Sequence, residues 1–126
     1  MIELDPRSPL RLPDLLAIER WQHELAWKPF RERIEVHRLY GDGTAGASAV
    51  LLRYQPGGRV PWHEHVGHEH ILVLAGSQRD ESGTAGTGSL VINRPGSAHS
   101  VVSEDGCIVL VIYEQPVRFV APPTRD

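Results

Sequence analysis

From Ile34 onward the apolar residues come in short runs, none longer than the seven of Cys107–Tyr113. Turn-forming clusters separate them: Gly41-Asp42-Gly43, Pro56-Gly57-Gly58, Pro95-Gly96 and Glu104-Asp105-Gly106. A run of that length makes only about two turns of helix, but it is a complete strand. Ile34–Tyr40, Ser48–Tyr54, Val60–His65, Glu69–Ala75, Leu90–Asn93, His99–Ser103 and Cys107–Tyr113 are therefore read as strands, with Val117–Val120 as a last one. Asp105-Gly106 between two such runs is a strong hairpin signal. About eight or nine short strands without a long helix predict an all-β chain, an antiparallel sandwich, jelly roll or barrel.

The remaining features bound the class. At 126 residues the chain fits one domain. A net charge of -3 gives no reason to expect nucleic acid or an acidic membrane as partner. The single cysteine, Cys107, excludes an internal disulfide and a multi-cysteine zinc site. The opening Met1–Pro6 lacks the basic and apolar regions of a signal peptide, and no run approaches the roughly 20 apolar residues of a membrane span. A soluble, cytoplasmic protein is expected. Residues 1–30 read as an N-terminal extension packing on the barrel, 31–120 as the barrel and 121–126 as a loose tail. Within the extension, Leu15, Ile18, Trp21 and Leu25 lie at helical spacing and Asp14 is a candidate cap, which favours a short helix or turn. A strand along a barrel edge is the alternative, and Pro29 closes the segment. Gly83, Gly86 and Gly88 lack the spacing and the strand–turn–helix context of a dinucleotide fingerprint.

Four of the seven histidines fall within eight residues: His63, His65, His68 and His70. Residues i and i+2 of a strand share a face, so His63 and His65 project together toward a point that one ion can occupy. Glu69 shares parity with Ile71, Val73 and Ala75. If that face looks into a barrel, its carboxylate needs a cation for partner. His99 opens a later strand that a barrel brings to the same point. His63, His65, Glu69 and His99 together offer three imidazoles and one carboxylate. That set suits one divalent transition ion (Zn, Fe, Mn or Ni, with Cu also in the class) without choosing among them. An octahedral shell leaves two positions open, as catalysis needs, and a four-coordinate shell is closed and structural. His68 and His70 have the opposite parity and read as exposed or supporting histidines. His23 and His37 read as ordinary surface or packing residues.

These residues resemble the first cupin motif, G-x5-H-x-H-x3,4-E-x6-G, in Gly57, His63, His65, Glu69 and Gly76. The second motif, G-x5-P-x-G-x2-H-x3-N, is matched by Gly88, Gly96 and His99, with Arg94 in the proline slot, Pro95 one place later and Ser103 in the asparagine slot. Trp27-Lys28-Pro29-Phe30, Val50–Gly57, Leu72–Asp80, Pro95–His99 and Ser103–Cys107 are similar to the ChrR-like cupins, over roughly residues 25 to 115. The resemblance implies a double-stranded β-helix (cupin jelly-roll barrel), commonly a homodimer, with the metal in its mouth. The name-giving member is a zinc-containing anti-sigma factor whose barrel follows a helical sigma-binding domain. The residues ahead of the barrel here are too few to build one, so sigma-factor binding is not expected.

Two functional readings follow. In one, the chain is a sensing or binding module in which a small molecule or oxidant meets the metal, with Cys107 either a redox reporter or a buried small residue. In the other, it is a non-haem metal-dependent dioxygenase acting on a diketone or hydroxylated aryl ketone. Val73, Val101, Val109 and Val111 would wall its pocket, and Arg53 or Tyr54 would orient a substrate anion unless they serve surface pairing. No Ser-His-Asp, Cys-His or paired-carboxylate arrangement offers metal-free catalysis.

Overall fold

The computed structural model describes residues 5–124. Expectations for Met1–Leu4 at the start and for Arg125 and Asp126 of the tail fall outside it. Ten strands follow a short helical segment: β1 (Lys28–Arg31), β2 (Ile34–Tyr40), β3 (Ser48–Tyr54), β4 (Gly58–Glu64), β5 (Glu69–Asp80), β6 (Gly83–Gly86), β7 (Leu90–Asn93), β8 (Ala98–Ser103), β9 (Cys107–Tyr113) and β10 (Arg118–Phe119). They pair antiparallel in the order β1-β2-β3-β9-β5-β8-β4-β10, with β6 and β7 also on β5. This is the curled jelly-roll barrel that the cupin resemblance implied, one of the antiparallel architectures that the turn spacing left open. β1 and β6 were not read from the sequence. Both are four residues long, and each carries Pro or Gly, the residues that ordinarily argue against a strand.

β5 joins the two halves of the barrel. Its first half pairs with β7 and β9, its second with β6 and, at Arg79, with β8. A bulge between Val73 and Ala75 separates them. The extra residue changes the parity of everything after it. Ile71 and Val73 belong to the interior cluster, whereas Ala75, expected on the same face, joins Leu74 in the cluster outside the sheet. Beyond the bulge Gln78 turns inward. Gly76 makes the crossing possible: its φ is +77°, and a Cβ there would collide with the Gly106 carbonyl.

The N-terminal segment is helical but broken into a 3-10 turn (Leu15–Ala17), one α-turn (Ile18–Trp21) and a second 3-10 turn (Gln22–Glu24). Asp14 does not cap it through its side chain. Its backbone sits at φ 53°, and its carbonyl accepts the Trp21 indole N–H at 2.9 Å. The apolar spacing does set the buried face, with Ile18 fully buried against Leu51, Leu74 and Ile108.

Candidate metal centre

The four residues singled out as ligands converge. β4 carries His63, with His65 just beyond its end, β5 opens on Glu69, and β8 carries His99, which is the cross-strand partner of His63. All four are buried, and one donor atom from each lies within 4.8 Å of the other three. Donors bonded to one ion at about 2.0–2.2 Å stand no more than about 4.4 Å apart, so this cluster needs only a small contraction to close on an ion. The imidazoles pack edge to face, with ring centroids 4.7 Å apart for His63–His99 and His65–His99 and 5.1 Å for His63–His65.

Each side chain is held from behind. His63 Nδ1 donates to the Pro61 carbonyl (2.8 Å), His65 Nδ1 to the Ser97 carbonyl (3.0 Å) and His99 Nδ1 to the Asp80 carboxylate (2.8 Å). Glu69 accepts from the Asn93 amide at 3.0 Å. With Nδ1–H committed outward, each Nε2 presents a lone pair to the centre. The Nε2 atoms of His65 and His99 are buried without a hydrogen-bond partner. His65 Nε2 lies 3.3 Å from Glu69 Oε1 but is not aligned as a hydrogen bond to it. Buried lone pairs and a carboxylate aimed at one point repel one another unless a cation or proton lies between. Burial also holds His63 below the usual histidine pKa, in the neutral form a ligand needs. The donor set therefore fits a divalent transition ion.

A cavity of about 250 Å³ opens beside the cluster and is bounded by His63, Glu69 and His99 together with apolar side chains. Of the expected wall residues, Val101 and Val111 line it, while Val73 and Val109 pack in the interior cluster without reaching it. Tyr54 faces the cavity and Arg53 does not: Arg53 pairs with Glu35 at 2.8 Å and stacks on Trp27 at 4.4 Å. Burial raises the Tyr54 and Tyr113 phenols well above their usual pKa, so both stay protonated. Cys107 is buried and its thiol is pushed up to about 11, which does not suit a reactive reporter. His68 is exposed against Glu114, and His70 is half-buried on the face away from the cluster. Asp80, Asn93, Ser97 and the cavity arginines Arg31 and Arg38 escaped the sequence reading. For Asp80 the available signal was Gly76, a glycine inside a strand, which marks a bulge and so a change of face.

Residues 20–117 match the model of the ChrR cupin-like domain. The chain belongs to the ChrR-like cupins. It is 35% identical over 118 residues to the anti-sigma-E factor ChrR of Cereibacter sphaeroides, covering 91% of this chain and 53% of that protein. It thus spans about half the length of the curated relative it matches. The crystal structure of Rhodobacter sphaeroides SigE in complex with ChrR superposes with a TM-score of 0.68 at 33% identity, over 86% of this cupin and 59% of that chain. A putative acetylacetone dioxygenase from Methylibium petroleiphilum shares the fold, with a TM-score of 0.74 at 16% identity over 97% of this cupin and 87% of that chain. Among the described residues no helix is long and apolar enough to cross a membrane.

Proposed function

We propose that this cupin is a metal-centred small-molecule binding or sensing module, in which His63, His65, Glu69 and His99 hold one divalent transition ion at the head of the cavity. The observation that carries the reading is the convergence of buried, unpartnered Nε2 atoms and the Glu69 carboxylate on one point that the cavity reaches. When bound, the ion would act as a Lewis acid with positions open to an oxygen donor. The chain supplies the rest. Its Nδ1 hydrogen bonds fix the tautomers, Val101 and Val111 exclude water, and the Tyr54 and Tyr113 hydroxyls are neutral donors for a ligand. Kinship with an anti-sigma factor supports a sensing use over a catalytic one. The test is elemental analysis of untagged protein. About one transition ion per chain is expected, and none after reconstitution with zinc, iron, manganese or nickel would overturn the reading.

A dioxygenase acting on a diketone or hydroxylated aryl ketone is the second reading. It rests on the cavity reaching the open side of a three-histidine, one-carboxylate set. Two structural neighbours are described as acetylacetone dioxygenases, one of them putative. Oxygen uptake by the iron-loaded protein with acetylacetone would move the assignment to an enzyme. A homodimer in the cytoplasm is part of the proposal, and exposed Leu90, Ile92 and Ile112 on the outer sheet face support the dimer. Sedimentation as a monomer would remove that element alone.

A further inference from the structure

We infer that the cavity selects an organic anion, a carboxylate-bearing ligand whose acid group pairs with Arg31. The inference rests on the proposed metal only for the ligand's second point of attachment. Arg31 lines the cavity with its Nε buried and without a hydrogen-bond partner. Among the described residues no carboxylate lies within ion-pair distance of it. Its guanidinium instead sits 4.9 Å from the centre of the Phe119 ring, and the same ring lies 5.7 Å from the His63 ring. The Phe119 ring thus neighbours both the guanidinium and one of the proposed metal ligands. Arg31 is half-buried with its Nε shielded from water, which an aromatic face compensates only in part, and its fork of N–H donors matches a carboxylate.

The charges around the cavity point the same way. Arg38 also lines it and makes no ion pair among the described residues, although its charge reaches the nearby Asp42 carboxylate. At Gly43 φ is +80°, and a Cβ would come within 3.3 Å of Arg38 Nη1, so glycine lets this loop close on the guanidinium. Against two arginines the lining offers one carboxylate, Glu69, which the metal would engage. Tyr54 and Tyr113 stay neutral, and Asp80 stands behind His99 rather than in this cavity. With Glu69 turned to the ion site and Asp42 near the exposed Arg38, Arg31 is left as the cavity cation without a counter-charge among the described residues, and a divalent ion would add to it. Its apolar walls, Val50, Leu52, Val101 and Val111, suit a hydrocarbon body between the acid group and the metal-directed oxygen.

Calorimetry with benzoate and 2-oxoglutarate, each against a neutral counterpart (benzamide, the dimethyl ester), tests this on zinc-loaded and on chelator-treated protein. The acids are expected to bind at least about tenfold more tightly than their counterparts, and Arg31→Gln to remove that preference with metal content and circular dichroism unchanged. Arg31→Lys should restore part of it, and Arg38→Gln, at an exposed position, should weaken binding about two- to threefold. Neither acid binding at millimolar concentration, equal binding of acid and counterpart, or a preference indifferent to Arg31 would each overturn the inference. A chain that holds no metal yet keeps the Arg31-dependent preference would defeat the metal reading and leave this one standing.

Discussion

The two apolar clusters of this barrel are cut from the same strands yet held together differently. On β3, Val50, Leu52 and Tyr54 face the interior while Leu51 faces out. On β5, Ile71 and Val73 face in while Leu74 faces out. The outer cluster is closed by Ile18, with Trp21, Leu25 and Trp27 packed around it, and it encloses no buried charge. Burial of hydrocarbon is enough to hold it. The inner cluster shares its space with three imidazoles, the Glu69 carboxylate and the Gln78 amide. Its upper end is a set of converging lone pairs, so on the proposed metal reading it would reach full stability only with a cation among them. One strand thus contributes to a core complete without an ion on one side and, on the proposed reading, to a core that would need one on the other.

The largest break in that comparison is loss of a ligand. His63→Ala or Glu69→Ala should take metal content from about one ion per chain to a small fraction of that. At a metal concentration about a thousandfold above the dissociation constant, binding adds about 4 kcal/mol to wild-type stability, and both variants should forfeit it. Thermal melts with and without chelator read this directly: wild type should fall on chelation, and the variants should not respond. Leu51→Ala, on the outer face of the same sheet, should cost about 2–5 kcal/mol through the cavity it leaves. Elemental analysis of its folded fraction should still return one ion per chain, because Leu51 packs in the outer cluster and not among the proposed ligands. Metal loss there, matching that in Glu69→Ala, would mean that the two clusters are one cooperative unit.

An intermediate effect is expected at Asp80, and it shows where the sequence was readable. Asp80→Asn keeps the volume but weakens the acceptor behind His99 Nδ1, and should lower metal affinity about 10- to 100-fold in a competition titration against a chelator. Three of the four candidate ligands were legible because their information is local, and His99 followed from the barrel and the second-motif resemblance. Alternation puts His63 with His65, and Glu69 follows after one turn. The partners that hold them were not legible. Asn93 meets Glu69 only because β7 pairs beside β5, Ser97 reaches His65 across a turn, and Asp80 faces inward only because a bulge at Val73–Ala75 reverses parity. Arg31 and Arg38 were hidden for a similar reason. Arg31 stands in a strand containing Pro29, and Arg38, exposed in the fold as well, reads as an ordinary surface cation, since only the approach of the Gly43 loop marks it as a cavity residue.

The smallest expected effect is the most discriminating, because it separates geometry from composition. His68 and His70 belong to the same histidine run as His63 and His65 and flank Glu69 directly. Were the run a loose polydentate patch, all four imidazoles would contribute comparably to metal binding. The fold divides them. Glu69 pairs across the sheet with Asn93 and Tyr113 and points inward, while the next residue, His70, sits between Ile92 and Ile112 on the outer face. His68 lies in the turn before β5, where its backbone N–H donates to Glu114 at 2.7 Å and its ring rests on the same carboxylate. His68→Ala should therefore leave metal content and affinity unchanged and shift stability by no more than about 1 kcal/mol, as for an exposed ion pair. His70→Ala should likewise leave the metal untouched. A drop in metal content from either substitution, of the size expected for His63→Ala, would mean that the run binds as a surface tract, and the division between the two faces of β5 would lose its functional meaning.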